Sequence, residues 1–431
     1  MFGSSIWRSL RHRNYRLYLS GQLVSLCGTW MQQIAQSWLV YRITGSATAL
    51  GIVSFAGQIP IFVLAPIAGV FSDRFSRYRI ALFAQFALAI LALALAALTI
   101  FGDIRVWHIV LLGFVQGVVL AFDMPARQSL VNQLVEPANL SNAIALNSSM
   151  VNAARIVGPA IAGIVVATVG EGICFLINAL SYLAVIWGLL LIKLPAGPQS
   201  RAGSVSMLRS LREGASYIRG TLPVRDLLLL LGLIGLMGMP YITLMPVFAG
   251  EIIRGGAHAL GMLMGAVGVG ALIGALLLAR RSGIQGLGKV IVAATSGFGV
   301  GLILFALSRM LWLSMAVLLF VGFSWMMLIA ASNTVLQTLA ADDMRGRVMS
   351  LFSMMLVGMA PFGSLVCGAL ADVMGAPATV IINGCFCVLG GFVFGLRLPR
   401  LREAALPILK TRGLMPEGGQ PIEPANIKRQ D

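Results

Sequence analysis

The sequence predicts an all-α membrane protein in which twelve transmembrane helices form two pseudo-symmetric six-helix bundles. Three observations support this prediction: an apolar composition, apolar runs long enough to cross a bilayer, and an alternation of charge between the connecting segments. Of the 431 residues, 58% are hydrophobic and 11% are charged, with a mean hydropathy of +0.91. A water-soluble globule has a far more polar composition, so the chain requires a lipid environment.

The first predicted span, residues 17–41, carries a stripe of polar side chains. Most of these side chains recur at steps of three or four residues, which places most of them on one helical face: Gln22, Ser25, Thr29, Gln32, Gln33 and Gln36. Such a face is costly against lipid, so we expect it to face protein or a water-filled cavity. The span is also too long to be the apolar region of a signal peptide.

Eleven further apolar runs approach or exceed the roughly 20 residues needed to cross the hydrocarbon core. Together with the first they are numbered span 1 to span 12 in chain order. The predicted bounds of spans 2 to 12 are 47–70, 80–101, 106–124, 141–169, 173–194, 227–248, 259–279, 290–307, 312–339, 348–373 and 378–396.

The distribution of basic residues predicts the orientation of these spans. With the N-terminus in the cytoplasm, 26 of the 31 lysines and arginines fall in the two termini and the cytoplasmic loops. The other side keeps Arg42, Arg105, Arg254 and Arg309, and Arg155 alone falls within a span. Basic loops resist translocation, so both termini are predicted to be cytoplasmic. The net charge of +16 therefore does not indicate a nucleic-acid partner.

The longest internal polar segment, residues 195–224, separates the first six spans from the last six. Its Met207, Leu211 and Ile218 recur at helical spacing, which predicts an amphipathic helix at the membrane surface. The segment after residue 400 lacks a sustained apolar run and is predicted to be disordered. The predicted domains are a first bundle over 1–194, a cytoplasmic linker over 195–224, a second bundle over 225–399 and a cytoplasmic tail over 400–431.

The two sets of spans are related by an internal repeat. An offset of 205 residues superposes Gly158 on Gly363, Gly163 on Gly368, Gly170 on Gly375, and the amides Gln128 and Asn132 on Asn333 and Gln337. An offset of 210 superposes Gly51 on Gly261. The series indicates a duplicated six-helix unit. An even number of spans returns the chain to the same face, so the two units are predicted to be parallel.

A short charged segment, Gly69 to Arg79, joins span 2 to span 3. Its glycine is expected to let two helices approach closely, and Asp73 to pair with an arginine or to accept from a helix N-terminus. Two sets of six spans, a basic linker and the pattern Gly69-x-x-x-Asp73-Arg74-x-x-Arg77 resemble the major facilitator superfamily of transporters. Ser76 and Tyr78 depart from that family's usual pattern. The related spacing from Gly368 to Asp372 is interpreted as helix packing with a terminal acid.

This resemblance implies alternating access and a conformational latch at the cytoplasmic face. Its members would be Gly69, Asp73, Arg74, Arg77, Arg79 and Asp123. The resemblance further implies that Arg77 pairs with Asp123 of span 4. Two alternative roles for Asp123 stay open, namely capping a helix and carrying a coupled proton.

Four separated motifs resemble a bacterial exporter branch that includes the enterobactin exporter and macrolide efflux pumps. They span 122–127, 143–148, 154–159 and 345–350. The branch implies a secondary transporter of the bacterial cytoplasmic membrane that exports amphiphilic molecules such as siderophores, antibiotics or drugs. It also implies proton antiport and a functional monomer with the lipid bilayer and a small-molecule substrate as its partners.

Other function classes lack their signatures in the sequence. There is no Gly-x-x-x-x-Gly-Lys-[Ser/Thr] phosphate loop and no His-Glu-x-x-His or Gly-x-Ser-x-Gly motif. The five cysteines lie in apolar spans without metal-ligand spacing. No enzyme activity, cofactor or metal is therefore predicted. An uptake permease of the same fold, and a non-transport sensor or intramembrane enzyme, stay open as alternatives.

Candidate substrate residues are polar or aromatic side chains within the spans. Arg155 is expected to face the interior, because an arginine in a span costs roughly 2.5–3.5 kcal/mol on insertion scales. It would bind an anionic or carbonyl group of the substrate, or else be satisfied structurally. The complete candidate set is Gln32, Gln33, Gln36, Ser148, Asn152, Arg155, Tyr241 and Trp325. For the two aromatic residues, ordinary packing stays open as the alternative to substrate contact.

Two further groups of candidates follow from the repeat and the resemblance. Gly158, Pro159 and Gly163 of span 5 resemble a motif of the superfamily's antiporters, and they form either a helix-packing gate or a simple kinked helix. Gln128, Asn132, Asn333 and Gln337 are amides at the cytoplasmic ends of spans 4 and 10.

Overall fold

The computed structural model describes residues 8–192, 207–280 and 283–411. Within these ranges a few side chains are not described: those of Ala65, Pro66, Val70, Ser72, Asp73, Arg74, Asn132, residues 207–212, Ala215 and Thr411. The described chain is helical and contains no strand. The predicted all-α membrane fold is confirmed, and all twelve spans are present.

Ten spans are single helices. They are Arg13–Thr44, Ala47–Arg74, Arg77–Ile100, Val106–Leu134, Leu140–Val169 and Glu171–Leu191 for spans 1 to 6, and Gly256–Ala279, Leu287–Leu307, Leu311–Leu339 and Ala376–Thr411 for spans 8, 9, 10 and 12. Span 11 consists of Arg345–Leu356 and Ala360–Met374. Span 7 consists of Leu222–Leu233 and Tyr241–Val247, each followed by a five-residue π-helix, Ile234–Gly238 and Phe248–Ile252. A linker helix, Met207–Gly220, precedes span 7.

Spans 2 to 12 are long and apolar enough to cross a membrane by length and composition. Span 1 has the required length, but its polar stripe keeps it outside that group. Part of the stripe is buried against protein, with Gln22, Ser25 and Gln32 each at most 4% exposed. The expectation that this face avoids lipid is therefore met, because its amides and hydroxyls face neighbouring spans.

The connections lie at two faces of the molecule. The linker face carries the linker helix and the turns at 75–76, 135–139 and 340–344. The opposite face carries the turns at 45–46, 101–105 and 308–310. Spans 1 to 6 pack on one another, as do spans 7 to 12, and the two bundles meet along spans 2 and 11 and along spans 5 and 8.

Span 2 meets span 11 at a pair of glycines near the opposite face. A Cβ atom built on Gly51 would lie 2.6 Å from the carbonyl oxygen of Ser364. A Cβ built on Gly368 would lie 2.5 Å from the carbonyl oxygen of Ala47 and 3.2 Å from the Cα of Gly51. Only glycine permits this separation between the two backbones.

The equivalent contact of spans 5 and 8 uses the repeat-related glycines. A Cβ on Gly163 would lie 3.0 Å from the Cα of Gly261, and one on Gly261 would lie 2.6 Å from the carbonyl oxygen of Pro159. Gly163 corresponds to Gly368, and Gly261 to Gly51, at the two sequence offsets. The repeat found in the sequence therefore marks the two contacts between the bundles, which we call the glycine seams.

Several boundaries differ from the prediction; span 4, for example, continues beyond its predicted end at 124 to Leu134. Span 12 continues to Thr411 rather than giving way to a disordered tail at 400, because Leu401, Ala405 and Leu409 recur every four residues and are at most 9% exposed. The rest of the predicted tail lies outside the described residues, as does the linker between 193 and 206. The segment between spans 2 and 3 is also shorter than its charges suggest, since only Phe75 and Ser76 separate the two helices.

Candidate substrate cavity and the contacts that close it

A cavity of about 1200 Å³ lies between the two bundles. Spans 1, 2 and 4 line one side, and spans 7, 8 and 11 line the other. The lining extends to Gln128 and Arg347, which lie near the linker-face ends of spans 4 and 11. Toward the opposite face the glycine seams bring the bundles into contact. The cavity therefore opens toward the linker face and is closed at the other.

The polar stripe of span 1 forms part of the cavity wall, as the sequence predicts. Gln32, Gln33 and Gln36 all line it. Gln32 is held in place, because it accepts from Nδ2 of Asn178 at 2.6 Å and donates to Oε1 of Gln116 at 3.2 Å. Gln33 is exposed and directed to the cavity. The wall thus combines a fixed amide with accessible ones.

Two predicted cavity residues of span 5 lie elsewhere. Ser148 and Asn152 are absent from the described lining, and Asn152 donates to the backbone oxygen of Ser148 at 2.9 Å within its own helix. The contact is local because the two residues are one helical turn apart. The prediction that they face the cavity is wrong in this conformation.

Arg155 also lies outside the cavity lining. Its guanidinium carbon is 5.4 Å from the ring centroid of Trp30 on span 1, a cation–π geometry. Its Nε is buried and has no hydrogen-bond partner among the described residues. The guanidinium packs on an aromatic ring between spans 1 and 5 and does not reach the cavity lining, so a substrate-binding or a structural role of Arg155 stays a prediction.

Tyr241 and Trp325 belong to the core of the second bundle. Tyr241 is 2% exposed, and its ring centroid lies 6.0 Å from that of Phe298 in an edge-to-face geometry. Trp325 contacts the same phenylalanine, with centroids 5.6 Å apart. Neither lines the cavity. Their prediction as cavity residues is corrected, because three aromatic rings pack together there.

A carboxylate of the second bundle caps a helix of the first at the opposite face. Asp372, near the end of span 11, accepts from the backbone nitrogens of Ala47 at 2.7 Å and Thr48 at 3.0 Å. It also accepts from the hydroxyl of Ser46 at 2.7 Å. These groups form the N-terminus of span 2, where unpaired amides and the helix dipole favour an anion. Asp372 therefore holds the bundles together, beyond the helix packing expected from the sequence.

A second polar contact crosses the bundles at the same face. The hydroxyl of Tyr41 in span 1 donates to Oε1 of Glu251 in span 7 at 2.8 Å. The next residue of span 1, Arg42, pairs with Glu171 of span 6 at 2.8 Å within the first bundle. Tyr41 also packs against Gly250, where a Cβ would lie 2.5 Å from its ring.

The linker-face end of span 4 holds a buried ion pair. The carboxylate of Asp123 is 0% exposed and lies 2.6 Å from Nε of Arg127, one turn further along the helix. Asp123 accepts from Gln85 at 3.1 Å, and Arg127 donates to Gln22 at 2.8 Å. The predicted Arg77–Asp123 pair is therefore not formed in this conformation, since Arg127 already neutralises the carboxylate.

The other predicted latch residues surround this site. A Cβ on Gly69 would meet no atom within 4 Å, so the expected close helix approach is absent here. The side chains of Asp73 and Arg74 lie outside those that the structure describes. Arg79 is exposed, and its backbone nitrogen donates to the hydroxyl of Ser76 at 3.5 Å, which caps span 3.

The predicted gate and amide residues do not form one site, because some contact neighbouring spans and others line the cavity. Gly158 packs against Trp30 and Cys27 of span 1, where a Cβ would lie 2.5 Å from the Trp30 side chain. Pro159 and Gly163 form the seam with span 8. Gln128 lines the cavity, whereas Gln337 donates to Asn333 at 3.0 Å outside it, and the side chain of Asn132 is not described.

Several site residues were absent from the sequence prediction. Gln58 and Gln116 line the cavity from spans 2 and 4, and an amide within an apolar run was a usable signal for both. Asp372 carried the signal of an acid at a helix end, but its partner lies more than 300 residues away. Among the described residues, no cluster of histidine, cysteine, aspartate or glutamate is suited to a metal ion.

Comparison with known proteins gives a consistent result. A family model described as "Transmembrane secretion effector" matches residues 4–416. The Staphyloferrin A transporter of Staphylococcus aureus is 26% identical over 391 residues, covering 90% of this chain and 97% of the relative. The multidrug efflux pump Tap of Mycolicibacterium fortuitum is 28% identical over 399 residues, with the same two coverages.

Solved structures support the fold alone. A bacterial homologue of the human lysosomal transporter Spinster, in an inward-facing and occupied conformation, superposes with a TM-score of 0.72 at 12% sequence identity. The match covers 92% of this chain and 98% of that protein. The arrangement of twelve spans is thus shared well beyond the range of evident sequence similarity.

Proposed function

Because this chain belongs to the transmembrane secretion effector family of major facilitator transporters, we propose that it exports amphiphilic small molecules by alternating access. The family is one of transporters and not of enzymes, and the predicted resemblance to its exporter branch is confirmed. The observation that carries the proposal is the cavity between the bundles, whose lining reaches the linker-face ends of spans 4 and 11, together with the glycine seams that join the bundles toward the opposite face. A bound molecule could leave at the opposite face once the seams separated.

The linker face is the cytoplasmic face in this proposal. Its support is the concentration of lysines and arginines in the termini and linker-face turns. The conformation described would then load substrate from the cytoplasm or the inner leaflet of the bacterial inner membrane. The predicted domains, 1–194 and 225–399, would move as units about the linker 195–224.

In this proposal the predicted latch forms in the other conformation, in which the linker face is closed. When the linker face closes, the segment from Gly69 to Arg79 would approach the second bundle. Arg77 would then compete with Arg127 for Asp123. Proton antiport is proposed as the energy source, and the monomer as the functional unit, on the strength of the family resemblance.

Transport can be tested in everted membrane vesicles. Vesicles containing the protein should accumulate at least one of two amphiphiles, an anionic catecholate siderophore and the cationic dye ethidium, faster than vesicles from empty-vector cells, and a protonophore should abolish the difference. Faster accumulation by intact cells instead would indicate an uptake permease. If vesicles with and without the protein accumulated each compound at the same rate, the proposed function would be contradicted.

The orientation has its own test. Cysteine at exposed Asp103 should react with a membrane-impermeant maleimide in intact cells, after removal of the outer membrane where one is present. Cysteine at exposed Glu136 should react only in everted vesicles. The reverse pattern would place the linker face outside.

A further inference from the structure

The two sides of the cavity differ in chemistry. The first bundle supplies six glutamines to the described lining: Gln32, Gln33, Gln36, Gln58, Gln116 and Gln128. Gln33, Gln36 and Gln128 make no side-chain hydrogen bond to other described residues. Each free amide offers two N–H donors and a carbonyl acceptor. This wall can therefore pair with several hydroxyl, carbonyl or carboxylate groups at once.

The second bundle supplies a largely apolar wall. Its spans 7, 8 and 11 contribute large aliphatic side chains, namely Ile242, Met245, Leu260, Met264, Met354 and Val357. Three hydroxyls, of Thr243, Ser350 and Ser353, interrupt it. Methionine is flexible and polarizable and adapts to irregular apolar shapes. The first wall also carries large apolar side chains, among them Ile61, Phe62 and Leu120, so its amides are what distinguish it from the second wall. A molecule held between the walls would thus place its hydrogen-bonding groups against the first bundle.

Charge separates the possible occupants further. No aspartate or glutamate belongs to the described lining, and its one charged residue is Arg347 at the linker-face end. Arg347 pairs with Glu213 of the linker helix at 2.8 Å, and that carboxylate lies outside the cavity. A cation transferred from water into such a site loses hydration without gaining an anionic partner. An anion in the same site would accept from several amide N–H donors and would lie near Arg347.

We infer that the cavity selects neutral or anionic amphiphiles that carry several hydrogen-bonding groups on one side, and that it disfavours cationic ones. The inference rests on the proposed function, because it specifies the molecules that such a transporter carries. It assigns the recognition of the polar side to Gln33, Gln36 and Gln128.

The selectivity can be measured with three probes that share one apolar body. These are dansyl-4-aminobutyrate, its carboxamide, and dansylaminopropyl-trimethylammonium, which differ in the charge of the head group. Binding to the purified full-length protein in nanodiscs is followed by fluorescence anisotropy. We expect the anion and the amide each to bind at least about tenfold more tightly than the cation.

Matched variants connect the result to the amides. Gln33→Glu places a carboxylate of nearly identical shape in the cavity and should reverse the order of anion and cation. Gln128→Leu should weaken the anion and the amide alike. Gln133→Leu is the control, because Gln133 is exposed on the same span and lies outside the cavity lining.

The outcomes distinguish this inference from the proposed function. Equal or tighter binding of the cation by the unaltered protein, binding of none of the probes, or an unchanged order in Gln33→Glu would overturn the charge selectivity. Export of ethidium by vesicles alongside such a result would leave the transport function standing. Conversely, the expected binding order without movement of any probe or siderophore across vesicles would contradict export and keep the selectivity.

Discussion

Replacing Asp372 by alanine should shift the protein away from the conformation described here. The carboxylate accepts three hydrogen bonds from the N-terminus of span 2, and all three cross from one bundle to the other. Separation of the glycine seams at the opposite face would break them. The cap therefore stabilises only the conformation in which that face is closed, which is the requirement for a bias on the equilibrium.

The size of the shift follows from the three contacts. Loss of a helix N-cap acceptor costs about 0.5–2 kcal/mol, and a hydrogen bond to a charged group contributes about 1.5–3 kcal/mol when well shielded from water. Asp372 is exposed, so solvent reduces the latter value. We expect about 1–2 kcal/mol in total, which changes the ratio of the two conformations by about five- to thirtyfold.

Distances measured by double electron–electron resonance can report the ratio of the two conformations. Spin labels are attached through unnatural ketone-bearing residues at Phe101 and Met310, so that the five native cysteines are kept. Both positions lie at the opposite face, one in each bundle, and are 79% and 65% exposed. In Asp372→Ala a longer distance should gain population, and in Asp372→Asn the gain should be smaller because one acceptor oxygen is kept.

The repeat supplies a complementary variant. Ala167 occupies the position of Asp372 at the offset of 205, and the N-terminus of span 8 begins after Gly255, which has no side chain to cap it. Ala167→Asp should supply the absent cap and favour the short distance. Asp103→Ala removes another exposed acid of this face and is the control. An unchanged distribution in Asp372→Ala, with normal melting behaviour, would refute the reasoning.

Three further predictions test the seams, the buried ion pair and Arg155. Gly261→Val introduces atoms into a contact where even a Cβ would lie 2.6 Å from a backbone oxygen. The overpacking should cost about 1–3 kcal/mol and should populate the longer resonance distance. Gly265→Val on the same span, where a Cβ would meet no atom within 4 Å, should leave the distance unchanged. Asp123→Asn leaves Arg127, whose side chain is 21% exposed, without its anion. Because solvent and Gln22 still reach the guanidinium, the cost should lie below the roughly 3–5 kcal/mol of a fully buried pair. It should appear as a lower melting temperature that the double variant with Arg127→Gln partly restores, and an unaltered melting temperature would argue against a stabilising pair. Arg155→Met should leave the affinity for dansyl-4-aminobutyrate within about twofold, because the guanidinium contacts Trp30 outside the cavity; a tenfold loss would return Arg155 to the substrate site.

The parts of the fold that could be predicted from the sequence depend on patterns within one helix or on the repeat. Apolar length located the twelve spans, and the polar stripe of span 1 located one wall of the cavity. The repeated glycines marked the seams, because a backbone contact this close excludes every other residue type. Even so, the sequence did not indicate that Gly163 would meet Gly261. The repeat relates Gly163 to Gly368 and Gly51 to Gly261, and it does not specify which of these glycines are in contact.

The remaining site residues depend on tertiary neighbours that no local pattern specifies. Asp123 was predicted to pair with Arg77 of the neighbouring segment, but its partner in this conformation is Arg127 on its own helix. Tyr241 and Trp325 were candidates for the cavity with ordinary packing as the alternative, and the alternative holds because Phe298 of another span offers both rings a partner. Arg155 was correctly expected to avoid lipid, yet its contact with Trp30 depends on the crossing of spans 1 and 5.

Carboxylates bound across the two bundles and carboxylates bound within one bundle differ in the conformations they stabilise, and this difference determines which of them can control transport. Glu171 at the opposite face belongs to the second kind, because it pairs with Arg42 of its own bundle. At the opposite face Asp372 and Glu251 bind groups of the other bundle. At the linker face Asp123 and Asp226 bind arginines of their own bundles. A bond within one bundle can persist in both conformations, so it adds stability without favouring either. A bond between bundles exists in one conformation only, and since about 1–2 kcal/mol changes a conformational ratio five- to thirtyfold, the loss of one such carboxylate is enough to alter the resting state.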